Sequence, residues 1–392
     1  MPTKNPSSNL ESLDRNRPPP TRSPFLDQRL GTTKGITQDQ ARISLWGIQS
    51  LVRKTMPGIS SSKCVTSQRL ASASIGVRTS VSPEGEALSA FDGLYRCGCV
   101  WTCPICSNAT ARKRRDEIKS ILEQAHDRGY RVYFLTLTVR HSMEESLDGL
   151  KRRFADARRA MRNRQAWKKM SSGCNFTGYI RGIEITYGES GWHYHSHEIL
   201  ILAPAGDEPD EKVITHEWQV ACRSARLKIP NEHGVKLQQS STRDDAGYPI
   251  KSDLQEEITA SMYKTGNGNY TPWGMLIMGS KVGGFLLAKF REYANTMPGT
   301  KKIMFSRGLR TLFTLPPEQT DQEICDESKG DLVHVIPPAD WRLIIKYEQR
   351  GQVLQFFREM SVAAARDAYD ALLRSLREAE KSRPGAPPKR PG

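Results

Sequence analysis

Three histidines alternate along one short stretch of the chain, at His193, His195 and His197, and an apolar segment follows them directly. Side chains two positions apart on a β-strand point to the same face of the sheet. The alternation therefore predicts a strand that projects three imidazole rings from one face, where adjacent rings can share a metal ion. The whole chain has eight histidines, so composition does not explain this concentration. A solvated strand face that binds nothing is the simpler alternative.

A partner strand is predicted directly before the histidines. Residues 178–186 and 192–202 both have strand composition, and a glycine-containing connection separates them, which predicts a β-hairpin. If residues 188–191 form a four-residue loop, Glu184 faces His195, and directly opposed residues share a face. Glu184 would then lie beside the histidines, although a slip of one residue in the register would remove it.

Four cysteines fall within ten residues, at Cys97, Cys99, Cys103 and Cys106. A Cys-x-x-Cys turn lets two thiolates reach one zinc ion, and a structural zinc site needs four ligands. Cys99 could complete the set locally, or Cys64 could return from an earlier segment. Buried, unreactive cysteines are the alternative. The polar, proline-rich N-terminus lacks the apolar core of a secretory signal, so we expect a cytoplasmic protein whose clustered cysteines bind metal rather than form disulfides.

The charge of the chain favours a polyanionic partner. Lys and Arg total 58 against 43 Asp and Glu, which gives a formal net charge of +15, and nucleic acid is the commonest partner of such a protein. No uninterrupted apolar run has the length of a membrane span, so no membrane association is expected. A basic cluster that could contact phosphates follows the cysteines directly. It consists of Arg112, Lys113, Arg114 and Arg115.

Periodicity predicts an α+β fold. Residues 131–139 are β-branched and aromatic, which indicates a buried strand, and Ser142 with Glu145 forms a capping-box pattern before a helical repeat. Residues 353–380 have helical periodicity. We therefore expect a central antiparallel sheet that carries the histidine motif, with helices packed on it and a cysteine-zinc module before it.

The order of these motifs resembles that of plasmid rolling-circle replication initiators, which belong to the HUH-endonuclease superfamily. The resemblance rests on the cysteine cluster, the strand 134–138 and the histidine segment 191–197, and it continues through 271–273 and 305–310. It implies a nickase and strand transferase that acts on origin DNA. A tyrosine attacks a phosphodiester, remains joined to the 5′ end, and leaves a 3′-hydroxyl that primes synthesis.

The resemblance also implies roles for individual residues. His195 and His197 correspond to the two histidines that bind the catalytic Mg²⁺ or Mn²⁺, His193 corresponds to a further histidine of the motif, and Glu184 is a candidate third ligand. The family's cysteine positions, which would hold a structural Zn²⁺, correspond to Cys64, Cys97, Cys103 and Cys106. Cys99 is then an addition to the pattern.

The nucleophile is the point at which the chain departs from the family pattern. The family has Tyr-x-x-Lys, with both residues on one helical face. Lys264 matches the lysine, but Ser261 stands three residues before it, and the nearest tyrosine is Tyr263, which we predict as the nucleophile. Tyr248 has the literal spacing, but Pro249 follows it and suits a turn better than a helix. Loss of the nucleophile is the third alternative.

These predictions divide the chain into five regions. They are a mostly disordered tail with a short helix (1–60), a cysteine-rich zinc module (61–125), the nickase domain (126–315), a helical region (316–381) and a disordered basic tail (382–392). The predicted function is initiation of rolling-circle plasmid replication on single-stranded or hairpin origin DNA, with host helicase and replication proteins as further partners. The alternatives are an HUH transposase and a zinc-dependent DNA-binding regulator without catalysis.

Overall fold

The computed structural model describes residues 38–70, 74–82, 85–240, 269–282 and 284–382. The strands in these ranges are β1 (Ile75–Val81), β2 (Ala87–Asp92), β3 (Arg131–Thr138), β4 (Phe176–Gly188), β5 (Gly191–Leu202), β6 (Val235–Gln239), β7 (Ile303–Phe305) and β8 (Asp331–Ile336). The helices are α1 (Gln38–Thr55), α2 (Ser60–Lys63), α3 (Pro104–Asp127), α4 (Leu147–Asn163), α5 (Gln165–Gly173), α6 (Glu211–Ser224), α7 (Pro272–Val282), α8 (Phe285–Thr296), α9 (Leu309–Leu312), α10 (Asp321–Asp326), α11 (Pro338–Lys346), α12 (Arg350–Glu359) and α13 (Val362–Lys381). Helices alternate with antiparallel strands, which confirms the predicted α+β class.

The larger sheet has the strand order β6-β3-β5-β4-β7. Strand β5 carries the histidines and is central, because β3 and β4 pair with its two edges. The β4–β5 hairpin has the predicted register, with Glu184 opposite His195. Its turn is tighter than predicted, since Gly188 pairs with Gly191. Gly191 has a φ of +93°, a conformation that glycine adopts without steric strain, and this allows the shorter connection.

The two faces of this sheet pack against different helices. Among odd-numbered residues of β5, Ile199 packs with Ile118 and Ile121 of α3. Even-numbered residues face α4, as in the contact between the Tyr194 and Phe154 rings, whose centroids are 4.9 Å apart. The three histidines are odd-numbered and therefore lie on the α3 face, nearer the start of β5 than Ile199.

A smaller sheet, with the order β2-β1-β8, belongs to a second buried core. This core joins the sheet to α11, α12 and α13 through residues such as Phe91, Trp341 and Phe357, and it also contains Cys64 and Cys106. Strand β8 therefore links the C-terminal region to β1 and β2, which precede the cysteine loop (residues 97–103). None of the helices in the described part of the chain combines the length and apolar composition that a bilayer crossing requires.

The helix predicted after Ser142 begins later than the capping-box pattern indicates. The backbone N–H of Ser142 does donate to the Glu145 carboxylate, at 3.1 Å. However, α4 begins at Leu147, and its N-cap is Ser146, whose hydroxyl accepts from the N–H of Gly149. Residues 142–145 form a turn that is closed by a backbone hydrogen bond. Ser142 is therefore not the N-cap of the helix.

The helical periodicity predicted over 353–380 is confirmed, and it is divided between two helices, α12 and α13. Met360 and Ser361 separate the two helices, and the Ser361 side chain accepts a hydrogen bond from the N–H of Ala364. A serine that caps a new helix competes with continuation of the old one. The break lets both helices pack in the second core.

Candidate functional site

Glu184, His195 and His197 converge in one buried cluster on the α3 face of the larger sheet. Oε2 of Glu184 lies 2.8 Å from Nε2 of His195 and 3.0 Å from Nε2 of His197. One ligand atom from each residue falls within 4.8 Å of the others, and all three residues are at most 8% exposed. The hairpin register brings the carboxylate to the histidines, because strand pairing places Glu184 directly opposite His195.

Strand β3 fixes the orientation of His197. Its ring stacks on Phe134, with centroids 5.4 Å apart and planes 5° from parallel. Thr136 lies opposite His197 in the sheet, and its Oγ1 is 3.2 Å from Nδ1. The other ring nitrogen, Nε2, therefore points towards Glu184. Nδ1 of His195, in contrast, is buried without a hydrogen-bond partner in the described part of the chain.

His193 lies on the same face but outside the cluster of three. Its ring centroid is 4.7 Å from that of His195 and 4.9 Å from that of His141, with which it is stacked. Burial lowers the pKa of His193 to about 4, and the neighbouring His195 and His141 add to this effect. His141 was not selected from the sequence. It could have been found because it follows β3, whose end pairs with the histidine strand.

Lys302 is a second residue that sequence reasoning missed. It precedes β7 and lines a small cavity with Arg114, Ile303 and Asp321. Burial lowers the pKa of Lys302 to about 8, and the nearby carboxylates of Glu184 and Asp321 partly offset the effect. Lys302 is therefore a cation close enough to Glu184 for the carboxylate to affect its ionisation.

The sulfur atoms of Cys64, Cys97, Cys103 and Cys106 lie within 4.8 Å of one another. Sγ of Cys106 is 3.6 Å from Sγ of Cys64 and 3.7 Å from Sγ of Cys97. Cys103 is the N-cap of α3, and burial raises the pKa of its thiol well above the ordinary value. Of the two candidates for a fourth member, the fold brings Cys64 into the cluster, while Cys99 instead accepts a hydrogen bond from Thr102.

The basic cluster after the cysteines lies on α3 and is divided between surface and interior. Arg112, Lys113 and Arg115 are partly exposed. The side chain of Arg114 is 4% exposed and donates to Glu117 and to the carbonyl of Gln319, at 2.8 and 2.6 Å. Arg114 thus joins α3 to the segment before α10. The predicted catalytic residues Tyr263 and Lys264, and the alternative Tyr248, lie outside the described residues.

Fold and site together define a basic α+β protein with a carboxylate–imidazole cluster on a central strand and a separate cluster of four thiols. A sequence profile of the replication protein family matches residues 96–348, well over half of the chain. The chain therefore belongs to the replication protein family, which confirms the resemblance to plasmid replication initiators.

Individual relatives match the chain at low identity, and two of the three described here are named Protein rep. The chain is 24% identical over 305 residues to Protein rep of Streptomyces lividans, which covers 60% of this chain and 67% of that protein. It is 27% identical over 244 residues to Protein rep of Lactiplantibacillus plantarum, covering 59% and 68%. It is 27% identical over 164 residues to a Neomycin resistance protein of Streptomyces cyanogenus, covering 32% and 37%. No solved structure gives a significant match.

Proposed function

We propose that this protein initiates rolling-circle replication of a plasmid by nicking one strand of the origin and joining its 5′ end through a tyrosine. The observation that carries the proposal is the convergence of Glu184, His195 and His197 within 4.8 Å, in a chain of the replication protein family. A purely DNA-binding regulator has no need of such a buried, polar cluster. Membership of this family favours replication over transposition.

The donor set of the cluster fits a divalent metal ion. Two imidazoles and one carboxylate that leave further coordination positions open suit Mn²⁺ or Mg²⁺ better than a closed thiolate site does. A metal ion can bind Nε2 of His197 only if the ring proton is on Nδ1. Oγ1 of Thr136 can accept a hydrogen bond from that N–H group. Such outer hydrogen bonds commonly fix the tautomer of a metal-binding histidine.

The residues around the cluster have separate proposed roles. Mg²⁺ or Mn²⁺ held there would withdraw charge from the non-bridging oxygens of the scissile phosphate. His193, neutral because its pKa is about 4, would border the phosphate without repelling the ion. The Tyr263 hydroxyl would give up its proton and form the bond to phosphorus as the bond to the 3′ oxygen breaks, and the 3′ oxygen would take up a proton. Lys264 would stabilise the phosphate or the phenolate.

The DNA contacts proposed around this centre depend on charge. Origin DNA in single-stranded or hairpin form is the proposed partner, and its backbone would contact Arg112, Lys113 and Arg115, which remain partly exposed on α3. Arg114 is buried and would not contact the DNA. Its ion pair with Glu117 stabilises the helix that carries the three partly exposed basic residues. A host helicase would then extend the single-stranded region that the nick creates.

The test of the proposal is a covalent adduct of defined polarity. The protein is incubated with Mn²⁺ and single-stranded oligonucleotides that tile both strands of the replicon that carries its gene. A 3′-labelled oligonucleotide should migrate with the protein on a denaturing gel, whereas a 5′-labelled one should be released with a free 3′-hydroxyl. Absence of any adduct with Mn²⁺ or Mg²⁺ would contradict the nickase.

Peptide mass mapping of that adduct identifies the nucleophile. We expect the adduct on Tyr263 and its loss in Tyr263→Phe. An adduct on Tyr248 or on Tyr270 would leave the nickase proposal intact and correct only the choice of tyrosine. Tyr270 is the comparison of most interest, because its backbone pairs with Tyr187 near the end of β4, the strand that carries Glu184.

We further propose that the four-thiol cluster binds one structural Zn²⁺. A tetrahedral ion with bonds of about 2.3 Å separates its ligands by about 3.8 Å, close to the 3.6 and 3.7 Å between the Cys106 sulfur and two of its neighbours. Four thiols in a buried pocket cannot all ionise without a cation. The cysteine at the N-terminus of α3 gains additional stabilisation of its thiolate from the helix dipole.

Replacing Cys103 with Ala should remove the zinc and destabilise the second core. Metal analysis of the purified protein is expected to give one zinc ion per wild-type chain and almost none for Cys103→Ala. Cys222→Ala is the matched control, because Cys222 is equally buried, at 0% exposed, but lies outside the cluster. Cys99→Ala should also keep its zinc. Zinc loss in Cys99→Ala but not in Cys64→Ala would overturn the assignment of the fourth ligand.

A further inference from the structure

Trp101 lies inside the cysteine loop, between Cys97 and Cys103, and contacts the segment that leads into β7. Its side chain is buried, and Nε1 donates a hydrogen bond of 2.6 Å to the carbonyl of Thr300. The ring packs edge-on against Tyr293, with centroids 6.1 Å apart, and Lys302 Nζ lies 5.9 Å from the ring centre. One side chain of the loop thus holds the approach to β7 by a hydrogen bond and by packing.

The same segment is bonded to the strand that carries Glu184. The carbonyl of Lys302 accepts a hydrogen bond of 3.0 Å from the N–H of Ile183, the residue directly before Glu184. Strand β7 is three residues long and, among the described strands, pairs only with β4, and residues 300–302 hold the end at which it begins. A continuous series of contacts therefore runs from the cysteine loop through Trp101, Thr300 and Lys302 to Ile183.

We propose that Trp101 is a positioning residue that couples the zinc site to the Glu184–His195–His197 centre. Zinc orders the loop, and the loop fixes Trp101. The tryptophan holds residues 300–302 against β4, which keeps Glu184 in register with both imidazoles. The inference rests on the proposed function, because it assumes that the two clusters bind their metals. Thermodynamic linkage requires the effect to be reciprocal, so each metal should strengthen the binding of the other.

The expected change in Mn²⁺ affinity is moderate because Trp101 acts on the metal ligands indirectly. Outer contacts of metal ligands commonly contribute 10- to 100-fold in affinity, and here a backbone hydrogen bond stands between the tryptophan and the ligand strand. We therefore expect Trp101→Phe, which keeps a ring but removes the N–H donor, to weaken Mn²⁺ binding about three- to tenfold. The electron paramagnetic resonance signal of free Mn²⁺ measures this affinity without any DNA or catalysis.

The structure offers a matched control in Trp341. Its indole is equally buried and donates to the carbonyl of Thr66, at 2.8 Å, in the core that contains the cysteines. Trp341→Phe therefore removes the same kind of hydrogen bond but no contact with residues 300–302. Both variants should keep one zinc ion per chain. An equal Mn²⁺ affinity in Trp101→Phe and Trp341→Phe would overturn the coupling, while the absence of Mn²⁺ binding by the wild type would overturn the metal centre itself.

A second measurement is made first on the wild-type protein. Zinc release from the wild-type protein to a chromogenic chelator should be slower with saturating Mg²⁺ than without it, at matched ionic strength. The difference should vanish in His195→Ala, which lacks a ligand of the proposed Mg²⁺ site. Zinc release that is indifferent to Mg²⁺ in the wild type would contradict the reciprocal coupling.

Discussion

Replacing His195 and His197 together with Ala is expected to abolish Mn²⁺ binding and origin cleavage while duplex DNA binding stays close to that of the wild type. The two imidazoles supply two of the three donor atoms in the cluster, so no stable site remains. A metal ion contributes several kcal/mol to stabilisation of a phosphoryl transition state, which corresponds to a loss of about a thousandfold or more in the cleavage rate. Gel cleavage assays and Mn²⁺ titration measure the two losses.

His233→Ala is the control for this double variant. The His233 side chain is 82% exposed, and its nearest acidic partner is the equally exposed Glu232, at 3.7 Å. Its removal should leave Mn²⁺ affinity, cleavage and stability unchanged. If the double variant lost duplex binding as severely as cleavage, and melted at a lower temperature, the histidine pair would be structural and the nickase proposal would lose its main support.

Replacing Glu198 with Gln should be the most destabilising single change on the opposite face of the histidine strand. The Glu198 carboxylate is fully buried and accepts hydrogen bonds from Arg158, at 2.5 and 3.0 Å, and from Arg162, at 2.5 Å. Gln keeps the shape but leaves two guanidinium groups without their anion. Breaking a buried pair of this kind costs about 3–5 kcal/mol, which denaturant unfolding monitored by circular dichroism should detect.

The same ion cluster predicts how stability depends on pH. Burial alone would raise the pKa of Glu198, but Arg158 and Arg162 outweigh it and hold the pKa at about 2, below the ordinary value of a glutamate side chain. A carboxyl group whose pKa is depressed in the folded state contributes stability above its unfolded pKa and loses it as the pH falls towards the folded value. The difference in unfolding free energy between wild type and Glu198→Gln should therefore shrink between pH 5 and about pH 2.

Glu123→Gln provides the comparison for both measurements. Glu123 pairs with Lys119 on the surface of α3, and both side chains are more than half exposed, so its loss should cost less than about 1 kcal/mol with little dependence on pH. A Glu198→Gln protein as stable as Glu123→Gln at pH 7 would show that the arginines find other partners. The ion cluster would then be no determinant of how α4 packs on β5.

Short-range sequence patterns were sufficient to predict the histidine strand and its hairpin partner. The spacing of two between His193, His195 and His197 was sufficient to place them on one strand face, because side-chain alternation is a property of the strand itself. The hairpin register followed from two neighbouring segments and a glycine-rich connection, which is also short-range information. The prediction that Glu184 faces His195 is confirmed for that reason, even though the turn is shorter than expected.

The helix boundaries could not be predicted where two nearby residues can each cap the same helix. Ser142 and Ser146 both precede the same helical repeat, and the sequence pattern gives no reason to choose the second. Only the packing of α4 decides that Leu147 begins the helix. Ser361 likewise interrupts a periodicity that would otherwise run through residues 353–380, because the turn before α13 lets both helices bury their apolar faces in one core.

The sequence by itself determined the histidine strand, the position of Glu184 opposite it, and the Cys103–Cys106 pair. Each of these depends on residues that are close together in the chain. The tertiary structure decided which distant residues join them. It brings Cys64 rather than Cys99 into the thiol cluster, stacks His141 on His193, and places Trp101 against Thr300. These contacts span tens to hundreds of positions, and they form only when two sheets and their helices pack, so no local periodicity encodes them.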